Sequence, residues 1–215
     1  MRKVSGEKAS GEKASGENVS GEKVSGEKVL GGVLVPGRGY GPQAPLLDLA
    51  SEAFHDLGAP YETVEWTVPG GLLEIGPEPF VRAHVEAALH RLSSAAPAAR
   101  PVLVAKSLGT HAATLAAERQ LPAIWLTPLL HLEPIVEAIT ANPAPALLIG
   151  GTADRSWIPA AATVTGKQIL TIPGADHALR PPGPLRAYTD ALGRIATAME
   201  KFLADLSGPE RAAPA

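Results

Sequence analysis

Three residues of this chain have the types and the order that nucleophilic catalysis requires. Ser107 stands in Ala105-Lys106-Ser107-Leu108-Gly109, Asp154 closes Gly150-Gly151-Thr152-Ala153-Asp154, and His177 lies in Pro173-Gly174-Ala175-Asp176-His177. A serine hydroxyl is a weak nucleophile at neutral pH and needs a base, which a third group must orient. Ser107 also has the local setting of a nucleophile elbow. Such an elbow puts serine on a sharp strand-to-helix turn, with small residues two before and two after it. Ala105 and Gly109 are small, although the first position usually holds glycine. Each residue alone has a plainer reading: Ser107 as a helix cap, Asp154 as a cap, His177 as a loop histidine. Their order along the chain, serine then acid then histidine, favours the joint one. Asp176 is a rival acid, but its place beside His177 in sequence makes a bond to Nδ1 of that ring awkward.

Two backbone N–H groups complete the candidate site by offering an oxyanion hole. One belongs to Leu108, the residue after the nucleophile. The other belongs to the loop Pro36-Gly37-Arg38-Gly39, with Arg38 the nominee and Gly37 the second choice. Gly37, Tyr40, His131 and Trp157 fall beside these residues and are candidates for contacting the substrate. His111, one turn past Ser107, reads as packing beneath the elbow. No His-x-x-x-His pair or carboxylate cluster suggests a metal, and no cofactor is expected. The glycine-rich string Gly37-Arg38-Gly39-Tyr40-Gly41 does not match a phosphate-binding fingerprint.

These residues need elements that hold them on one edge. Short apolar runs read as six strands: Val29 to Val35, Tyr61 to Val68, Pro101 to Ala105, Ala123 to Leu126, Ala146 to Ile149 and Gln168 to Ile172. Helical spacing separates them at Leu46 to Leu57, Glu78 to Ser93, Leu108 to Arg119 and Glu133 to Thr140. A long amphipathic stretch from Pro184 to Leu206 closes the domain. Alternation of strand and helix predicts an α/β fold, a three-layer α/β/α sandwich on a mostly parallel six-stranded sheet. Right-handed crossovers would then bring all the strand C-termini, and so the three candidate residues, to one edge.

The chain has 215 residues, and 45% are apolar, enough for one globular domain. It has no cysteine, so disulfides, thiolate metal sites and a cysteine nucleophile are excluded. The net charge is −3 with no basic stripe, which argues against nucleic acid as partner. No apolar run is long enough to span a bilayer, and the N-terminus lacks the apolar core of a secretory signal. A soluble cytoplasmic protein without membrane partners is expected; its oligomeric state is open. The pentad Ser-Gly-Glu-Lys-(Ala/Val) recurs five times from Ser5, with Asn18 in place of one lysine. It offers too little apolar surface to offset its ordering entropy, so residues 1–28 are expected to be a disordered tail. Residues 29–206 form the expected domain, and 207–215 a flexible C-terminal tail.

Taken together, the stretches at Val33 to Gly39, Val102 to Thr110, Leu147 to Asp154 and Ile172 to Leu179 resemble the α/β-hydrolase superfamily. The resemblance spans Val29 to Leu206 and is nearest to small capless bacterial members related to the dienelactone hydrolases. It implies a minimal α/β-hydrolase fold that lacks the usual first two strands and any lid. It also implies hydrolysis of a small carboxylic ester or thioester through an acyl-enzyme on Ser107, with His177 as base and Asp154 orienting it. The same fold also serves acyltransferases and non-hydrolytic proteins such as binding modules and cyclases.

Overall fold

The computed structural model describes residues 29–208. The pentad repeat and the segment beyond Gly208, for which tails are expected, lie outside the described residues. Six strands form one sheet: β1 (Leu30–Val35), β2 (Tyr61–Thr63), β3 (Arg100–Lys106), β4 (Ala123–Leu126), β5 (Ala146–Gly151) and β6 (Gln168–Ile172). Their order is β2-β1-β3-β4-β5-β6, and every pairing is parallel. The four inner strands are almost wholly apolar, because a parallel strand covered by helices on both faces has no solvent side.

Alternate residues of each strand feed opposite cores. Val33, Leu103, Ala105, Ala123, Trp125 and Leu148 face one side. Against them pack helices α3 (Glu78–Ala95), α4 (Ala113–Glu118), α5 (Glu133–Ala141) and α6 (Pro159–Val164). Leu34, Val102, Val104, Ile124, Leu126 and Ile149 face the other side, covered by α1 (Pro45–Asp56) and α7 (Leu185–Ser207). The apolar stripe of α7, formed by Ala191, Ile195, Met199, Phe202 and Leu203, is what seats it there. Pro45 starts α1 with a φ already suited to a first turn, and Gly58 ends it at φ +61.

The strand order reverses between β1 and β3. The chain runs out from β1 to edge strand β2, then returns across β1 to lay β3 on its other side. Loops leaving β1 and β3 therefore diverge to opposite faces and open a crevice at their C-terminal ends. Open α/β sheets bind ligands at such a switch point.

Four elements differ from their sequence reading. The alternation from Tyr61 to Val68 yields a strand only as far as Thr63. Val64 still donates its N–H to the Leu34 carbonyl (2.9 Å), but β1 ends at Val35 and leaves nothing further to pair with. Val64, Trp66 and Val68 nevertheless pack on the core, so burial without pairing produced the period of two. The helix read from Leu108 begins as a 3-10 helix over Ser107–Ala112 and becomes α-helical at Ala113. Two short helices escaped the periodicity: α2 (Leu72–Ile75) and α6. Both are too short for a hydrophobic stripe to repeat.

Candidate active site

Ser107 is the first residue after β3 and opens the 3-10 turn. Its φ is +50, a conformation that side-chain-bearing residues rarely adopt. This strain lifts the hydroxyl out of the strand end instead of folding it into the helix. Packing holds it there. A Cβ on Gly109 would lie 2.9 Å from Val35 Cγ1 and 3.0 Å from the carbonyl oxygens of Val35 and Pro36. Glycine at that position is what lets the turn settle against β1. The Thr110 hydroxyl donates to the Ser107 carbonyl (2.6 Å) and fixes the turn from within.

The structure brings Ser107, Asp154 and His177 together from the ends of three strands. The Ser107 hydroxyl lies 2.7 Å from His177 Nε2, and His177 Nδ1 lies 2.8 Å from Asp154 Oδ2. An ionised carboxylate can only accept, so Nδ1 carries the proton and donates it to Asp154. Nε2 then presents a lone pair to the Ser107 hydroxyl, which donates. The loops that carry Asp154 and His177 are pressed together where Gly151 meets Ala175. A Cβ on Gly151 would come within 2.2 Å of the Ala175 carbonyl oxygen.

Asp154 is 6% exposed. Burial alone would raise its carboxyl, but the hydrogen bonds from His177 and from the Ser156 N–H (2.8 Å) outweigh it. With the charge of Lys106 nearby, they hold the carboxyl below its ordinary value. Asp176 does different work. Its Oδ1 accepts the N–H groups of Ala178 (2.8 Å) and Arg180 (3.0 Å), so it shapes the turn around His177 and does not bond the ring.

Of the candidates for the oxyanion hole, Gly37 has no donor to offer. Its N–H already bonds the Tyr40 carbonyl (3.0 Å), while its own carbonyl accepts the Trp66 indole N–H (3.2 Å). Leu108 and Arg38 both border the groove beside Ser107. Gly37 and Tyr40 line a second cleft with Ser107 and His177. The Tyr40 hydroxyl accepts the Leu46 N–H (2.9 Å), and burial pushes its pKa up to about 12. It is therefore a neutral wall that anchors the loop to the start of α1. His131 and His111 both face the groove. His111 does so from beside the elbow, where sequence reading placed it beneath. Trp157 is a correction: it is 5% exposed and belongs to the core instead of the pocket wall. Its ring lies so close over Gly150 that a Cβ there would sit 1.9 Å away. Gly150, near the end of β5, thus admits an indole into the core.

Sequence reasoning missed Lys106. This lysine is 2% exposed and directly precedes Ser107. Its Nζ donates to the Thr127 hydroxyl (3.0 Å) and the His177 carbonyl (3.0 Å), and lies 4.7 Å from the Tyr40 ring centroid. Burial lowers its pKa to about 8, against the opposing pull of Asp154 and Asp176. Thr127, itself at φ +44, ends β4 and meets it. Lys106 therefore straps the histidine loop to the middle of the sheet. Its signal in the sequence was a lone charge at the end of an apolar strand. Among the described residues, no group of three or more acidic or histidine side chains is arranged to hold a metal. Among the same residues, no helix is long and apolar enough to cross a membrane.

No family model matches the sequence, and no curated protein matches it closely enough to count as a relative. Solved structures do match its shape. An α/β serine hydrolase homologue from Coxiella burnetii superposes with TM-score 0.61 at 16% identity, covering 82% of this chain and 85% of that one. A lid-less α/β serine hydrolase from Xanthomonas campestris gives 0.61 at 16% identity, over 84% and 85%. An esterase from Pyrococcus furiosus gives 0.63 at 10% identity, over 86% and 85%. At these identities the likeness establishes the fold, and the chain has the α/β-hydrolase fold that its motifs resemble.

Proposed function

We propose that the chain is a serine hydrolase that cleaves a small carboxylic ester or thioester through an acyl-enzyme on Ser107. The observation that carries this reading is the continuous hydrogen-bonded line from Ser107 through His177 to Asp154, at 2.7 and 2.8 Å. It lies at the crevice where the sheet order reverses, on a serine with strained backbone. Structural neighbours named as serine hydrolases and esterases support the same class of chemistry.

In this mechanism the Ser107 oxygen attacks the substrate carbonyl carbon while His177 Nε2 takes the hydroxyl proton. Asp154, held ionised by its two hydrogen bonds, stabilises the imidazolium that results. The backbone N–H groups of Leu108 and Arg38 receive the developing oxyanion. The bond from carbon to the leaving oxygen or sulfur breaks, and His177 returns its proton to the departing group. Water then attacks the acyl-enzyme by the same route, releasing the acid and restoring the Ser107 hydroxyl.

The test is pre-steady-state hydrolysis of a p-nitrophenyl ester. The expected result is a burst of p-nitrophenol stoichiometric with the protein, lost in Ser107→Ala. Turnover by Ser107→Ala equal to that of the wild type would exclude the mechanism.

A further inference from the structure

The two clefts that meet at Ser107 differ in chemistry, and the position of His177 tells them apart. His177 must return its proton to the departing group, so that group lies on the His177 side of the serine. The cleft there has a volume of about 420 Å³ and is bordered by Arg38, Tyr40, Lys106, Asp176 and His177. It is the smaller of the two, and most of the residues on its border are of polar or charged type. The substituent on the carbonyl carbon must then leave Ser107 in the other direction, past Leu108. A groove of about 660 Å³ begins there, walled by Leu73, Pro77, Leu108, Leu129, Leu132 and Ile135.

We infer that this groove is the acyl site, and that the enzyme takes esters or thioesters of an unbranched apolar acyl chain of medium length. The inference rests on the proposed role of Ser107 and adds the class of substrate. The groove's apolar side chains come from α2 and the turn after it, the elbow, the segment between β4 and α5, and the first turn of α5. None of the leucine and isoleucine side chains on it can bond a polar acyl group. The groove does carry two histidines, Arg38 and Glu78. Burial, with His131 nearby, lowers the pKa of His111, so the imidazole nearest the elbow stays neutral. Arg38 is exposed and borders both clefts, so it stands at their junction. Leu73 is 50% exposed at the groove edge, on a helix of four residues between two glycines. An acyl chain lying along the wall would cover it.

A buried methylene contributes about 0.8 kcal/mol, or about fourfold in kcat/KM, if the groove covers it completely. The test is kcat/KM of the full-length protein for p-nitrophenyl acetate, butyrate, hexanoate and octanoate. Ser107 is labelled in parallel by a fluorophosphonate. A climb of at least about tenfold from acetate to hexanoate supports the inference, since a partly open groove covers only part of each methylene. Leu132→Glu, which puts a carboxylate on the wall, is expected to flatten or reverse that climb. A wild-type profile that is flat or falls from acetate, with Ser107 still labelled, overturns the acyl site and leaves the serine mechanism standing. No label on Ser107 overturns both.

Discussion

Lys106→Met should change how stability depends on pH, in a direction and size set by burial. The Lys106 ammonium is 2% exposed, and its pKa falls from 10.5 to about 8. A base with a lower pKa in the folded state binds fewer protons there than in the unfolded chain. Stability therefore rises as pH climbs from about 8 to 10.5. The full shift corresponds to about 3 kcal/mol, most of which should be recovered between pH 7 and pH 10. Methionine keeps most of the volume and removes the titrating group. It also removes hydrogen bonds to Thr127 and His177, which offsets the comparison without tilting it. Tyr40, the aromatic ring in contact, is raised from 10 to about 12 and is present in both proteins, so its own contribution near pH 10 cancels from the difference. Urea unfolding of both proteins at several pH values is the assay. The wild type should gain about 2–3 kcal/mol on the variant from pH 7 to pH 10. A difference that stays flat with pH would refute the claim that this lysine is charged, buried and strained by desolvation at neutral pH.

Gly109→Ala should cost about 1–3 kcal/mol of stability, because the new methyl meets Val35 and the Pro36 carbonyl at about 3 Å. Activity should fall further than stability accounts for, since Ser107 moves with the turn; melts and ester turnover on one preparation separate the two. Asp154→Asn should lower kcat by a factor on the order of 10³–10⁴, because an amide no longer fixes the Nδ1 tautomer of His177. Thermal unfolding should show the variant still folded, and turnover within about tenfold of wild type would contradict the orienting role. Asp176→Asn, by contrast, should retain most activity, because its carboxyl holds only the turn N–H groups of Ala178 and Arg180. A loss as deep as that of Asp154→Asn would reverse the assignment of the acid.

Much of the fold was legible because apolar burial and local pattern agree in a doubly covered sheet. β4 and β6 begin and end where their apolar runs do, and the stripe on α7 marked the closing helix to within a residue. β2 was overextended because alternation reports burial, and only a partner strand makes a strand of it. Ser107, Asp154 and His177 were found by type and order, because each follows a strand on the same sheet edge. Distances between them are a property of the loops, and no pattern in the sequence states them. Asp154 was preferred to Asp176 because Asp176 adjoins His177 in sequence; in the structure Asp154 Oδ2 bonds the ring, while Asp176 Oδ1 accepts the N–H groups of Ala178 and Arg180. Trp157 was misplaced because its nearness to Asp154 in sequence says nothing of which way the ring turns. Gly150, which leaves room for that ring, was the available clue. Lys106 was overlooked because a lysine reads as solvent-seeking unless its strand is known to be buried to the end.

Ser107 is proposed as an activated nucleophile, and covalent labelling reads that reactivity without reference to any substrate. Full-length protein treated with a fluorophosphonate should gain one adduct, located by peptide mass spectrometry on Ser107 and absent from Ser107→Ala. His177→Ala should slow the labelling strongly, since the base that activates the hydroxyl is gone. An unlabelled wild type, or a Ser107→Ala variant that labels as fast as wild type, would contradict the account.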